Sequence, residues 1–135
     1  MLIDAGLNDF EDFAPVPPGT YIFVIKEPVE TKSLTEKTDI GGPSYDFIIR
    51  PEIEGGEQAG KKVRRQFSNK SKATRYFLRS FLLKVGVNIN EGGRFTSEDL
   101  LGRRFTAVVG ERMGTEGASA GKKFADLDSE SVLAL

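Results

Sequence analysis

The chain has 135 residues, with 19 Lys and Arg against 20 Asp and Glu and a hydrophobic content of 39%, which suits one domain with a modest core. It contains no cysteine and no histidine, so disulfides, thiolate metal sites and catalytic pairs built on imidazole are excluded. No apolar run approaches the roughly 18 residues of a membrane span, and the acidic start lacks the basic region of a secretory signal. We therefore expect a cytoplasmic protein that does not bind membranes.

Residues 1–18 are predicted to form an acidic, proline-rich arm in front of the domain. The segment carries four carboxylates and no basic residue, and the prolines near its end prevent a helix. These residues are Asp4, Asp9, Glu11 and Asp12, followed by Pro15, Pro17 and Pro18. Phe10 and Phe13 are apolar residues through which the arm could pack on the domain.

Three β-strands are predicted in the first half of the chain. Gly19–Ile25 is rich in aromatic and β-branched residues, which favour a strand. The polar stretch 30–43 ends in two glycines and a proline and is predicted to be a long hairpin loop. Tyr45–Ile53 alternates in polarity, and Lys61–Phe67 forms the third strand after a glycine-rich turn.

The periodicity then changes from two residues to 3.6. Ser71 fits the N-cap of a helix, and Gly86 fits the position just after its end. The helix between them carries an apolar stripe of Leu78, Phe81, Leu82 and Val85, and a basic face of Lys72, Arg75 and Arg79. Arg103–Glu111 and Lys122–Leu127 are predicted as strands four and five.

The order β-β-β-α-β-β predicts a mainly β fold, a five-stranded OB-like barrel with one amphipathic helix between strands three and four. The OB-like domain would span residues 19–128, and residues 129–135 would form a short C-terminal tail. An SH3-like barrel and a helix-capped antiparallel sheet give similar patterns and stay open as alternatives.

Nine of the basic residues lie between Lys61 and Lys84, where no acidic residue occurs. Cations follow a phosphate backbone, and flat rings stack on unpaired bases, so this segment predicts non-enzymatic binding of single-stranded DNA with little sequence preference. The predicted phosphate contacts are Lys61, Lys62, Arg64, Arg65, Lys72, Arg75, Arg79, Arg103 and Lys122. The predicted stacking rings are Tyr45, Phe47, Phe67 and Tyr76.

The same residues allow other interpretations. The cations of the third strand could instead protect a sheet edge against aggregation. Gly55–Lys61 matches a phosphate-binding loop, but Lys62 stands where a hydroxyl residue should hold Mg²⁺. The carboxylates of the second strand and the turn after it, Asp46, Glu52, Glu54 and Glu57, resemble a solvated surface more than a metal site. We therefore predict no metal and no cofactor.

Several short segments carry a family resemblance through their order and spacing. They are Pro17-Pro18-Gly19-Thr20-Tyr21, Tyr45–Ile53, Glu54-Gly55-Gly56, Gly60-Lys61-Lys62-Val63, Arg79-Ser80-Phe81-Leu82, Val85-Gly86-Val87 and Asp99-Leu100-Leu101-Gly102-Arg103. From about Phe13 to about Leu127 the chain resembles a family of small bacteriophage proteins encoded near replication and recombination genes. Many of these are regarded as OB-fold-like single-stranded DNA-binding proteins.

The resemblance implies a role in phage DNA replication, recombination or repair in the host cytoplasm. It also implies that replication or recombination proteins bind the acidic arm or the C-terminal tail, and the chain could form a homo-oligomer. The end of the chain, Asp126–Leu135, is acidic and then apolar, as in well-known single-strand binders, but it is shorter. The alternative is a structural or protein-interaction module of a phage, without nucleic-acid binding.

Overall fold

The computed structural model describes residues 16–90, 93–113 and 123–135, and this part of the chain is mainly β with one α-helix. The strands are β1 Gly19–Val24, β2 Glu30–Lys37, β3 Pro43–Ile49, β4 Glu52–Ile53, β5 Arg65–Ser68, β6 Arg104–Met113, β7 Lys123–Leu127 and β8 Leu133–Ala134. The helix α1, Lys72–Lys84, stands between β5 and β6. Residues 1–15 of the predicted arm, and Lys122, lie outside the described residues.

The strands form two antiparallel sheets that the chain joins into one curled surface. One sheet has the order β4-β1-β6-β7, with β8 on the same edge of β6 as β7. The other has the order β2-β3-β5. Short links connect β1 to β2 and β3 to β4, so the two sheets bend into a half-barrel with α1 packed against β5.

The predicted closed barrel of five strands is wrong. Residues 30–37 were predicted to be loop, but they pair with β3 as an edge strand, because backbone pairing does not require apolar side chains. The predicted third strand is shortened to Arg65–Ser68, and of the preceding residues Lys62 forms an isolated bridge to Glu52. No ladder among the described residues joins β5 to β7, so the barrel stays open there.

A capping residue sets the beginning of the helix, and a glycine follows its end. The Ser71 hydroxyl accepts the Thr74 N–H at 3.2 Å, and the Thr74 hydroxyl accepts the Ser71 N–H at 3.0 Å, which satisfies two N–H groups that the helix leaves unpaired. Gly86 follows with φ of 86°, a conformation that favours glycine. The predicted N-cap and terminating glycine are thus confirmed.

The core lies between α1 and the inner face of the curled surface. Phe81 is its centre: its ring lies 5.0 Å from that of Phe67 and 5.7 Å from that of Phe105, measured between centroids. Leu82 and Val85 are also buried, and Leu78 packs against the core from its edge. The predicted apolar stripe of the helix is therefore confirmed.

The last residues of the chain add to the fold. Val132 is buried, β8 pairs with β6, and Lys84 Nζ donates to the Glu130 carbonyl at 2.8 Å. The segment predicted as a tail is therefore held against the five-stranded sheet and the end of α1.

Candidate nucleic-acid interface

A groove of about 420 Å³ runs beside α1. Phe47 and Phe95 line it with ring centroids 6.0 Å apart, and Leu78 and Leu82 of the helix continue the apolar lining. The remaining lining includes the guanidinium-bearing side chains of Arg75 and Arg79. The groove therefore combines adjacent rings with cations.

Strand alternation and a short turn assemble the rings. Phe47 lies opposite Phe67 in the β3–β5 ladder, so both rings project from the same face of the sheet, the face that α1 covers. After the helix, Asn90 N–H bonds to the Arg94 carbonyl at 3.1 Å, and this turn returns the chain so that Phe95 contacts Phe47.

Arg75 is tied to the tip of the β2–β3 hairpin. Its Nη1 donates to Asp39 Oδ1 at 2.8 Å and to the Asn69 carbonyl at 3.0 Å. The other Asp39 oxygen accepts the backbone N–H of Lys72 at 2.9 Å. The Arg75 guanidinium is the largest cause that lowers the pKa of Asp39, so this carboxylate stays ionised and partly neutralises Arg75.

Arg79 and Lys72 are exposed on the same helix, and among the described residues no carboxylate lies within ion-pair distance of either. Tyr76 stands between them in sequence with 65% of its surface exposed, and its ring meets that of Phe77 edge-on at 5.7 Å. Helix α1 thus presents exposed cations and an exposed aromatic ring on its surface.

Tyr45 lies next to this site on β3. Its ring centroid is 6.2 Å from that of Phe47, and its backbone N–H donates to the Asn69 side-chain oxygen at 2.7 Å. The structure therefore brings together five of the predicted residues: Tyr45, Phe47, Lys72, Arg75 and Arg79. Tyr76 is exposed on helix α1 and contacts Phe77.

Other predicted cations lie away from the groove. The Lys62 ammonium is ion-paired with Glu27 in the link between β1 and β2. Arg64 Nη2 donates to Gln66 Oε1 at 2.9 Å, and Gln66 projects from the face of β5 opposite to Phe67. Arg103 Nε donates to the Asp99 carbonyl at 2.9 Å, and Lys61 is exposed in the turn after β4. Among the described residues, the predicted phosphate contacts close to the groove are therefore the three on α1, Lys72, Arg75 and Arg79.

The assignment of Phe67 as a stacking ring is corrected by its burial. Phe67 is only 5% exposed and stacks on Phe81, so a base cannot reach its face. The Arg65 guanidinium carbon lies over the same ring, 4.9 Å from its centroid, and Arg65 Nη2 donates to Ser129 Oγ at 3.5 Å. Arg65 therefore lies against the core and the C-terminal segment instead of the groove.

Sequence reasoning missed Phe95 and Ile89, which line the groove from the segment after α1. Both are isolated apolar residues in a polar stretch. An apolar residue in an otherwise polar loop was the feature that could have identified them, because such a residue either packs on the domain or lines a site.

Two of the predicted surface carboxylates, Glu52 and Glu54, make ion pairs with neighbouring cations. Glu52 lies 2.6 Å from Lys26 Nζ, and Glu54 accepts both Nε and Nη2 of Arg104 at 2.8 and 2.7 Å. Over residues 16–90, 93–113 and 123–135, no group of three metal-ligating side chains occurs.

The chain matches no protein-family model, and no curated protein matches it significantly. The helix α1 has 13 residues, whereas a membrane span takes about 20, and the described part of the chain holds no helix fit to cross a bilayer.

Proposed function

We propose that this protein binds single-stranded DNA without catalysis and with little sequence preference. The observation that carries the proposal is the groove in which Phe47 and Phe95 lie side by side with Arg79 at the edge. Bases would stack on these rings and on Tyr76, and the phosphates would follow Lys72, Arg75 and Arg79. One base–ring stack contributes about 1–3 kcal/mol.

We expect low sequence preference because the side-chain amide that lines the groove, Asn69, is hydrogen-bonded to the protein backbone. Asn69 is an amide that could read a base edge, but its oxygen accepts the Tyr45 N–H and its nitrogen donates to the Pro43 carbonyl at 3.2 Å. Each end of this amide already has a backbone partner, so we expect ring stacking and phosphate contacts to be the main interactions with DNA.

We further infer that the fold is an OB-like barrel opened along one side. In this assignment β1 with β2, and β3 with β4, are the first two barrel strands, each bent between the two sheets. β5, β6 and β7 are the remaining three, and α1 connects the third to the fourth. The missing β5–β7 ladder is the departure from a closed OB barrel.

The chain chemistry and the resemblance to phage proteins together support a role in phage DNA replication, recombination or repair in the host cytoplasm. Replication or recombination proteins are the proposed protein partners. All 20 acidic residues of the chain lie outside the segment Lys61–Lys84, so they would repel DNA from other surfaces and orient the encounter.

The test compares two charge reversals by fluorescence anisotropy with labelled oligothymidine at two salt concentrations. Arg79→Glu changes the groove, and Arg64→Glu changes an exposed arginine on the opposite face of β5 and serves as the matched control. We expect Arg79→Glu to weaken binding by about tenfold or more. The slope of log affinity against log salt concentration should also decrease by about the amount due to one phosphate contact. Arg64→Glu should change affinity by less than about threefold, as expected for a charge that acts only at long range.

Absence of wild-type binding at low salt would refute the proposal. Concentration-dependent self-association in that case would favour the structural or interaction module. Equal losses in the two variants would show that charge alone attracts DNA and that the groove is not its site.

A further inference from the structure

Ile40 stands at the tip of the β2–β3 hairpin and is 80% exposed, the highest value among the large apolar side chains of the described residues. An exposed isoleucine on a surface is common. Ile40 differs from other exposed apolar residues because hydrogen bonds fix the turn that carries it.

The turn that carries Ile40 is closed by its own hydrogen bonds. Thr38 is buried, its N–H donates to the Gly42 carbonyl at 2.9 Å, and its hydroxyl accepts the Gly42 N–H at 3.1 Å. The Gly41 N–H returns to the Thr38 carbonyl at 2.9 Å, and Gly41 has φ of 87°, which favours glycine. The tip is therefore a defined turn.

The same turn is fastened to the beginning of α1. Asp39 N–H donates to the Lys70 carbonyl at 2.9 Å, and the Asp39 carboxylate binds the Lys72 N–H and Arg75. Because Asp39 directly precedes Ile40, these contacts fix the isoleucine relative to the helix. The backbone that carries this side chain cannot withdraw from the surface without breaking them.

Cations surround the tip. Lys37 and Lys72 are exposed, and Lys70 makes only a long ion pair with Glu36, 3.8 Å between the charged atoms. Arg75, which contacts the tip through Asp39, also lines the groove. A strand bound in the groove would therefore lead toward Ile40 past Arg75 and Lys72, where its phosphates would compete with the Asp39 carboxylate.

We propose that the protein opens the last base pair of a duplex next to bound single-stranded DNA, with Ile40 as the wedge. The inference rests on the proposed function. Aliphatic side chains that enter a base step partly unstack it, and the neighbouring cations would hold the phosphates on either side. The released strand would continue into the groove, so that opening and capture are coupled.

The experiment uses a short duplex with a single-stranded oligothymidine extension and 2-aminopurine in the base pair at the junction. Emission of 2-aminopurine rises when it unstacks. The full-length wild-type protein should raise this emission at least twofold, and Ile40→Ser should lose more than half of that rise. Ile22→Ser, which changes a 37% exposed isoleucine of β1, is the matched control and should keep the rise.

Affinity for oligothymidine and thermal melting are measured for each variant. Ile40→Ser should bind the oligonucleotide within about twofold of wild type, and Ile40→Leu should retain opening because it keeps an aliphatic wedge. An undiminished rise with Ile40→Ser would overturn the inference, since opening would then come from strand capture alone.

Two further results separate this inference from the proposed function. Wild-type binding to oligothymidine without any rise at the junction would overturn the wedge and leave single-strand binding intact. Failure of the wild type to bind oligothymidine would overturn both.

Discussion

Asp39 joins the β2–β3 hairpin to α1 by placing Oδ1 at 2.8 Å from Arg75 Nη1 and Oδ2 at 2.9 Å from the Lys72 N–H. A helix N-terminus beside a guanidinium attracts anions, and here the anion is a side chain of the protein itself. A DNA phosphate that approaches Arg75 would therefore compete with Asp39.

Replacing Asp39 with Asn should strengthen DNA binding. The amide oxygen still accepts the Lys72 N–H, but it no longer neutralises Arg75, so oligothymidine affinity at low salt should rise by about threefold to tenfold. Salt titrations by anisotropy measure this effect. Glu36→Gln, which removes an exposed carboxylate of the same hairpin, should have a smaller effect, and weaker binding by Asp39→Asn would contradict the competition.

Low pH should destabilise the fold because it protonates carboxylates that form ion pairs with arginines. The Arg104 hydrogen bond is the largest cause that lowers the pKa of Glu54 from its ordinary 4.5. Because the folded pKa lies below the unfolded one, the stabilisation is full above about pH 4.5 and is lost as pH falls through the lowered value. The pKa values of Glu30 and Asp39 are lowered in the same way, by Arg50 and Arg75 respectively.

Thermal melting between pH 7 and pH 3 measures this dependence. The Tm of the wild type should fall as the pH is lowered toward 3. Glu54→Gln should have a lower Tm than wild type at pH 7. Its Tm should also fall less steeply with decreasing pH, because it has no carboxylate at position 54 to protonate. An acid slope identical to that of wild type would show that the Glu54–Arg104 pair does not contribute.

Tyr76 should report DNA binding directly. The chain has three tyrosines and no tryptophan, so stacking of a base on the exposed Tyr76 ring should quench a measurable part of the protein's emission. Tyr76→Phe should lose that part of the quenching and keep affinity. Tyr76→Ala should weaken binding by about 1 kcal/mol or more, whereas Leu83→Ala, at another exposed apolar residue of α1, should not. Equal affinities for all three variants would exclude Tyr76 from the site.

Phe81 should be the costliest ring to remove. It is 1% exposed and contacts the rings of Phe67 and Phe105, so Phe81→Ala should lower the free energy of unfolding by about 3–5 kcal/mol. Urea unfolding followed by circular dichroism measures the loss. Leu83→Ala should stay within about 0.5 kcal/mol, and a comparably small loss for Phe81→Ala would mean that the packing around α1 is not the stabilising core.

Local patterns predicted the local structure well. The stripe Leu78, Phe81, Leu82 and Val85 and the cap Ser71 belong to neighbouring turns of one helix, so their spacing alone places them. The polar strand β2 escaped prediction because an edge strand is held by the backbone of β3 and needs no apolar pattern of its own. The prediction of a closed barrel was wrong for a related reason. Whether two strands pair depends on residues that are distant in sequence, and local patterns do not show them.

The sequence by itself determined the mainly β character, the single amphipathic helix, the basic segment and the absence of imidazole and thiol chemistry. These follow from composition and short-range periodicity. Only the tertiary structure decided which cations share a surface, because it buried Phe67, paired Lys62 with Glu27 and turned Arg64 to the opposite face of β5. Strand alternation, helix packing and ion pairing with residues far along the chain made that selection, and short-range patterns carry no information about such partners.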